Sequence, residues 1–171
     1  TFGTFTNTVH HITDDPGAEV VTASTEIEIL GVPDSVLINE FVATPTAAEA
    51  IELYNTTSSD VVVGGWTVDW GYGSGTITDT TTVPANGYLV LDTTNMSDLS
   101  ISNAGTVLSL YAGDLLIDQV GYGDDGGAPK PIYNFSTGRA PDGVDTDDWA
   151  ADFNMDPSPT LGASNDMPAA D

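Results

Sequence analysis

Aspartates crowd two short stretches of the sequence, at spacings that suit the binding of a divalent cation. Calcium takes roughly six to eight oxygen ligands, which flexible acidic loops can supply. Neither stretch has the Asp-x-Asp-x-Asp-Gly order and closing Glu of an EF-hand, so the alternative is that these side chains cap turns or a helix start. Calcium is the one cofactor that the sequence suggests, and its predicted ligands are Asp142, Asp145, Asp147 and Asp148, and separately Asp124 and Asp125.

Catalytic chemistry has weaker support in the sequence. The two histidines, His10 and His11, are adjacent, and neighbours in a strand point to opposite faces, so they cannot chelate one metal from a single strand. No Gly-x-Ser-x-Gly motif occurs, and both histidines lie in the N-terminal segment, which disfavours a Ser-His-Asp triad. A hydrolase with paired carboxylates stays open, but nothing marks such a pair. The sequence therefore predicts a protein that is not an enzyme.

The chain is strongly acidic because it almost lacks basic residues. Lys130 and Arg139 are its two cations, against 26 acidic residues, for a net charge of −24. Binding to nucleic acid or to an anionic membrane surface needs a basic patch, so both are excluded. No apolar run approaches the ~18 residues of a membrane-spanning helix. We expect Arg139 to be a buried structural partner for Asp142, Asp145 or Asp147 and to pin the loop that contains them.

Short β-like runs separated by turn signals make up most of the chain. Alternating, β-branched stretches recur about every ten residues between turns such as Pro84-Ala85-Asn86-Gly87, and no window has a sustained helical period. This pattern predicts an all-β antiparallel sandwich. Trp66, which follows Gly64-Gly65, is expected in the core, and Trp149 is expected to pack the C-terminal segment back onto the domain.

Several sequence motifs occur in a fixed order along the chain. They are VLINEFVA (36–43), EAIELYN (49–55), VVVGGWTV (61–68), PANGYLVL (84–91), ISNAGTVLSLYAGDLLIDQVGYG (101–123) and STGRAPDGVDTDDWAADFNMDPSPTLGASN (136–165). In this order they resemble the motifs of lamin tail domains of the prokaryotic extracellular type, over about residues 34–166. Leu161 stands where that family tends to have Pro.

This resemblance implies an immunoglobulin-like antiparallel β-sandwich with a non-catalytic role in attachment or assembly. It also implies an extracellular or cell-surface protein. Because residue 1 is Thr and not Met, we expect a secreted, mature chain whose signal peptide has been removed. Residues 1–33 fall outside it and are interpreted as an N-terminal extension with one or two strands, while 167–171 are expected to be a loose C-terminus.

The N-terminal extension is the predicted assembly element. Residues 1–13 read as a strand without a charged residue, and Asp15-Pro16-Gly17 follows as a hinge. Such a strand can be donated to the sheet edge of a neighbouring copy, which builds a filament or surface layer, or it can pair within its own chain. The residues expected to carry assembly are Phe2, Phe5, Val9 and Ile12. The alternative function is a monomeric adhesion module that recognises a glycan or a surface protein.

Three Asn-x-Ser/Thr sequons suggest N-glycosylation in a secreted protein. They begin at Asn55, Asn95 and Asn134.

Overall fold

The computed structural model describes the backbone of residues 3–11 and 21–29, and residues 31–167 in full. The described residues are about two-fifths strand and very little helix, with antiparallel pairing throughout the named strands. The prediction of an all-β, immunoglobulin-like sandwich is confirmed. No helix among the described residues is long and apolar enough to cross a membrane.

Two sheets form the sandwich. Their strands are β3 (Val36–Val42), β4 (Ala50–Asn55), β6 (Thr67–Asp69), β7 (Ser74–Thr76), β9 (Tyr88–Leu91), β10 (Gly105–Ala112), β11 (Leu115–Gly123), β12 (Ser136–Arg139) and β13 (Phe153–Asp156). The four-stranded sheet has the order β11-β10-β6-β7, and the five-stranded sheet has the order β13-β12-β3-β4-β9.

The remaining elements are short or stand apart from the sandwich sheets. Strands β5 (Val61–Val62) and β8 (Thr82–Val83) pair with each other, and helix α1 (Trp149–Asp152) leads directly into β13. At the N-terminus, β1 (Gly3–His11) pairs with β2 (Val21–Ile29) as a hairpin that is a sheet of its own.

The apolar core lies between the two large sheets. Phe41 of β3 packs on Tyr122 of β11 with ring centroids 4.7 Å apart, which joins the sheets through their aromatic side chains. Trp66 is buried in this core, as expected, and follows Gly65, whose φ of 83° favours glycine. Burial of such apolar area is the main stabilising contribution to the sandwich.

A β-bulge in β3 decides which residues face the core. Ile38 pairs with Leu53 and Glu40 pairs with Glu52, so Asn39 is an extra residue between two ladder positions. The extra residue shifts the alternation, and Phe41 enters the core while Glu40 joins Glu52 on the opposite face of the sheet. We call that opposite face of the five-stranded sheet its outer face.

Candidate functional site

The inner side of β12 carries a fully buried guanidinium. Arg139 is 0% exposed, lies 4.6 Å above the ring of Phe153, and its Nε donates to the Ile38 carbonyl at 3.0 Å. Three carboxylates surround it at 3.2–3.4 Å, and we call these four residues the arginine cluster: Arg139, Asp118, Asp145 and Asp152.

The arginine cluster ties distant parts of the chain together. Asp118 comes from β11, Asp145 from the loop after β12, and Asp152 from α1. Asp118 also accepts from the backbone N–H of Ile38. Burial raises the pKa of Asp118 to about 6 although Arg139 opposes this, which fits one guanidinium shared among three carboxylates. Of the three partners expected for Arg139, the structure places Asp145 against it.

Asp142 lies on the other side of the sheet instead. Its carboxylate accepts hydrogen bonds from the side chains of Asn39, Tyr88 and Ser164 and from the backbone N–H of Asn165. Burial, together with the bond to Asp142, raises the pKa of Tyr88 to about 12. Asp142 therefore holds the segment around Ser164 and Asn165 against the sheet, and it is separated from the other aspartates of its sequence cluster.

The remaining predicted calcium ligands are also dispersed. The side chain of Asp148 caps the start of α1 through the backbone N–H groups of Ala150 and Ala151, and Asp147, Asp124 and Asp125 are exposed. Among the described residues no group of three or more His, Asp or Glu side chains is arranged to hold a metal ion. Capping was the alternative interpretation of these aspartates, and it describes Asp148. Calcium binding stays a prediction.

A second group of buried acids, not predicted from the sequence, lies on the outer face. Glu40 and Glu52 are both 0% exposed and Asp156 is 2% exposed. Together with Asp142 we call them the carboxylate face. For Glu40 and Glu52 the sequence signal is a glutamate inside a mostly apolar strand, in VLINEFV and AIELYN respectively.

The carboxylate face is held by neutral donors. Ser136 Oγ and the backbone N–H of Thr160 donate to Glu40 Oε1, and Asn39 Nδ2 donates to Glu52 Oε1. Burial raises the pKa of Glu40, and it raises the pKa of Glu52 to about 7, with repulsion from Glu40 and Asp142 adding to the second shift. The face is therefore poised to exchange a proton near neutral pH.

The predicted glycosylation sites differ in accessibility. Asn55 is 0% exposed, and its Nδ2 donates to the carbonyl oxygens of Ser59, Val83 and Pro84, so a glycan on that atom is incompatible with this fold. Asn95 is half-buried and its Nδ2 donates to the Val90 carbonyl. Asn134 is exposed in a turn with φ of 63°, and it is the most accessible of the three.

The other predicted residues fall in different parts of the chain. Trp149 is half-buried, and its ring lies so close to the backbone of Gly121 that a Cβ there would come within 2.5 Å of it. His10, His11, Phe5 and Val9 lie in β1, whose backbone alone is described, while Phe2, Ile12 and residues 168–171 lie outside the described residues.

The fold and these buried polar clusters define an immunoglobulin-like β-sandwich with loops fixed by carboxylates. The sequence model of the family described as Lamin Tail Domain matches residues 32–124, just over half of the chain. The chain therefore belongs to the lamin tail domain family, a family of immunoglobulin-like binding and structural domains. Comparison with the curated proteins and with the solved structures gives no match.

The family match ends before β12 and β13, although these strands lie in the same sheet as β3. The sandwich thus extends beyond the matched residues. The predicted domain limits of 34–166 stay a prediction.

Proposed function

We propose that this protein is a non-catalytic structural module that assembles with further copies of itself through its N-terminal hairpin. The observation that carries the proposal is the hairpin's register. Phe5 pairs with Ile27 and Val9 pairs with Ala23. Directly paired residues belong to the same face of a two-stranded sheet, so these apolar residues share one face.

The opposite face of the hairpin is polar by the same argument. Thr4 pairs with Glu28 and Thr6 pairs with Glu26. An isolated two-stranded hairpin is at best marginally stable in water and needs another apolar surface to cover it. Since β1 and β2 form a sheet separate from the sandwich sheets in the described ranges, a second copy's hairpin is the proposed cover.

Charge favours the apolar face of this hairpin as the contact between copies. A chain of net charge −24 repels its own copies, and the repulsion is weakest where charge is absent. Residues 1–13 contain no Asp, Glu, Lys or Arg, and the two acidic residues of β2, Glu26 and Glu28, pair on the polar face. Calcium or high salt would reduce the remaining repulsion, so cation-assisted assembly is part of the proposal.

The buried acids support a structural role for the rest of the module. Asp118, Asp145 and Asp152 bind Arg139, while Glu40 and Glu52 bind backbone N–H groups. These carboxylates fix loops and the segment that contains Thr160 and Gly162. We also propose a position on the cell surface, which the motif resemblance supports. Fractionation of the source cells tests this localisation.

The test compares two single substitutions in β1. Phe5→Glu adds a charge to the apolar face of the hairpin, and Thr8→Glu adds the same charge to the polar face, where its paired residue is the uncharged Ser24. Analytical ultracentrifugation and negative-stain electron microscopy, in EDTA and in calcium, are expected to show assemblies for the wild type and Thr8→Glu and a 17.7 kDa monomer for Phe5→Glu. A wild-type monomer in both buffers would overturn the proposal.

The second candidate function is a monomeric binding module, favoured by a cleft beside β11. The cleft has a volume of about 320 Å³. Its acidic and aromatic lining suits a ligand with a positive charge. The lining includes Asp34, Asp118, Gln119, Asp145, Asp147 and Trp149. A monomer that binds surface glycans or proteins, with binding lost in Asp147→Asn, would favour this function over assembly.

A further inference from the structure

The C-terminal segment 157–167, which we call the strap, crosses the carboxylate face. Four of its backbone N–H groups donate to carboxylates. The pairs are Ser158 to Asp156 Oδ1, Thr160 to Glu40 Oε1, Gly162 to Glu52 Oε2, and Asn165 to Asp142 Oδ1. Because the acceptors come from β13, β3, β4 and the loop after β12, the strap is held across the whole width of the sheet.

Negative charge accumulates beneath the strap without a cation from the described part of the chain. The three ion pairs among the described residues all belong to Arg139, whose side chain lies on the inner side of the sheet. Lys130, the other basic residue, is exposed. The titratable groups on or against the carboxylate face are Glu40 (β3), Glu52 and Tyr54 (β4), Tyr88 (β9), Asp156 (β13), Asp142 (loop after β12) and Asp166 (strap).

One oxygen of this face has no hydrogen-bond partner. Asp156 Oδ2 is the one buried side-chain oxygen or nitrogen of the described residues that lacks a partner. The negative charge of Asp156 also raises the pKa of the nearby Glu40 carboxyl, after burial. A protonated carboxyl on this face would supply the donor that Asp156 Oδ2 lacks, and it would remove one of the uncompensated charges.

We infer that the strap is a proton-linked latch, which stays closed while the carboxylates under it share a proton and loosens as all of them become ionised. This inference goes beyond the proposed function and does not depend on the hairpin. Loosening releases the contacts of the strap with Glu40, Glu52 and Asp142, and it exposes the outer face of the sheet to solvent.

The direction of the pH dependence follows from linkage. Burial and the repulsion from Glu40 and Asp142 raise the pKa of Glu52 to about 7 from an ordinary 4.5, while the bond from the strap's Gly162 N–H lowers it. The latch requires that the strap's burial of this carboxylate outweigh that bond, so that closing the strap takes up a proton. The contribution of Glu52 to closure is then complete below pH 4.5 and is lost as the pH rises through about 7. Because 4.5 is the value of a fully solvated carboxyl, roughly 30-fold is the upper bound on the change that this single group makes in the closing constant between pH values of about 5.5 and 8.5.

Amide hydrogen exchange of the full-length protein tests the latch. Protection factors, corrected for the intrinsic pH dependence of exchange, are expected to fall at Thr160 and Gly162 over this pH range, by more than about threefold and up to about 30-fold. Those of Leu108 and Val120, in the opposite sheet, are expected to stay within about twofold. A flat profile at Thr160 and Gly162 would overturn the inference.

A variant separates proton linkage from general alkaline loosening. In Glu40→Gln, Oε1 keeps its bonds from Ser136 and Thr160, and the new amide can donate to Thr160 Oγ1, which bonds Asn165 Oδ1. The alkaline loss of strap protection is expected to shrink at least threefold in Glu40→Gln. It should be unchanged in Asp114→Asn, which removes a charge from an exposed turn. Equal pH profiles for all three proteins would contradict the latch.

A direct titration keeps the test decisive should Glu40→Gln fold poorly. Carbon-13 NMR of the wild-type side-chain carboxyls is expected to place the midpoint of Glu52 near 7. The backbone N–H signals of Thr160 and Gly162 should shift with the same midpoint. A Glu52 midpoint near its ordinary value of 4.5 would refute the latch.

Discussion

Buried carboxylates lie on both sides of β12, and their negative charge is offset differently on each side. On the inner side, the buried Asp118 and Asp152 and the partly exposed Asp145 surround Arg139, and a fixed cation offsets much of their charge. On the outer side, Glu40, Glu52 and Asp156 are equally buried and have only neutral donors among the described residues.

The arginine cluster and the carboxylate face therefore differ in how they respond to pH. A guanidinium stays charged at every physiological pH, so the arginine cluster keeps its cation even below pH 6, where Asp118, with its pKa raised to about 6 by burial, takes up a proton. Backbone N–H groups and hydroxyls cannot neutralise a carboxylate, so the carboxylate face depends on protons alone. The comparison assigns a permanent cation to the inner side and adjustable closure to the outer side.

The largest expected loss of stability comes from removing the cation of the arginine cluster. Arg139→Met leaves the buried Asp118 and Asp152, with Asp145 beside them, without their cation, and it should cost about 3–5 kcal/mol of unfolding free energy. The matched control is Lys130→Met, which removes the exposed cation and should change stability by less than about 0.5 kcal/mol. Denaturant unfolding measures both. Similar losses for the two variants would mean that net charge, and not the arginine cluster, sets the cost.

A smaller effect is expected where the strap meets both sides. Asn165 Nδ2 donates to the Arg139 carbonyl at 2.8 Å, and its Oδ1 contacts Thr160 Oγ1. Asn165→Ala should cost about 1–2 kcal/mol of unfolding free energy and speed proteolytic cleavage within the strap. The exposed Asn103 provides the control. If Asn103→Ala accelerated strap cleavage equally, the strap would not depend on the Asn165 contacts.

The smallest expected effect concerns the helix that presents Asp152 to Arg139. Asp148 caps α1, and Asp148→Ala should cost about 0.5–2 kcal/mol of unfolding free energy by leaving backbone N–H groups without a partner. Asp124→Ala, which removes an exposed charge elsewhere, should be close to neutral when thermal unfolding is followed by circular dichroism. A neutral Asp148→Ala would show that α1 is positioned by Asp152 and Trp149 alone.

Local sequence patterns predict much of the sandwich. Alternation and turn residues between positions 36 and 123 indicate short antiparallel strands, and the ordered motifs point to the family that the match over residues 32–124 establishes. The rarity of basic residues likewise makes Arg139 stand out as a structural cation, because a lone guanidinium among many acids is expected to be shared.

The same patterns do not predict which acids come together. Asp142 and Asp145 are three residues apart in the sequence, yet one joins the carboxylate face and the other the arginine cluster. Asp118 reaches Arg139 only because β11 packs across the sandwich from β12, a long-range arrangement without a local signal. Sequence proximity therefore predicts one acidic loop where the fold makes two separate sites.

The sequence by itself determined the strand-rich fold class, the family and the strong negative charge, because these depend on composition and on short-range periodicity. Only the tertiary structure decided that Glu40 and Glu52 face each other beneath the strap. The bulge at Asn39 reverses the alternation of β3, and it is stabilised by contacts with Asp142 and Glu52 from distant parts of the chain. A bulge of one residue moves every later side chain to the other face of the sheet, so the site depends on packing that no local pattern encodes.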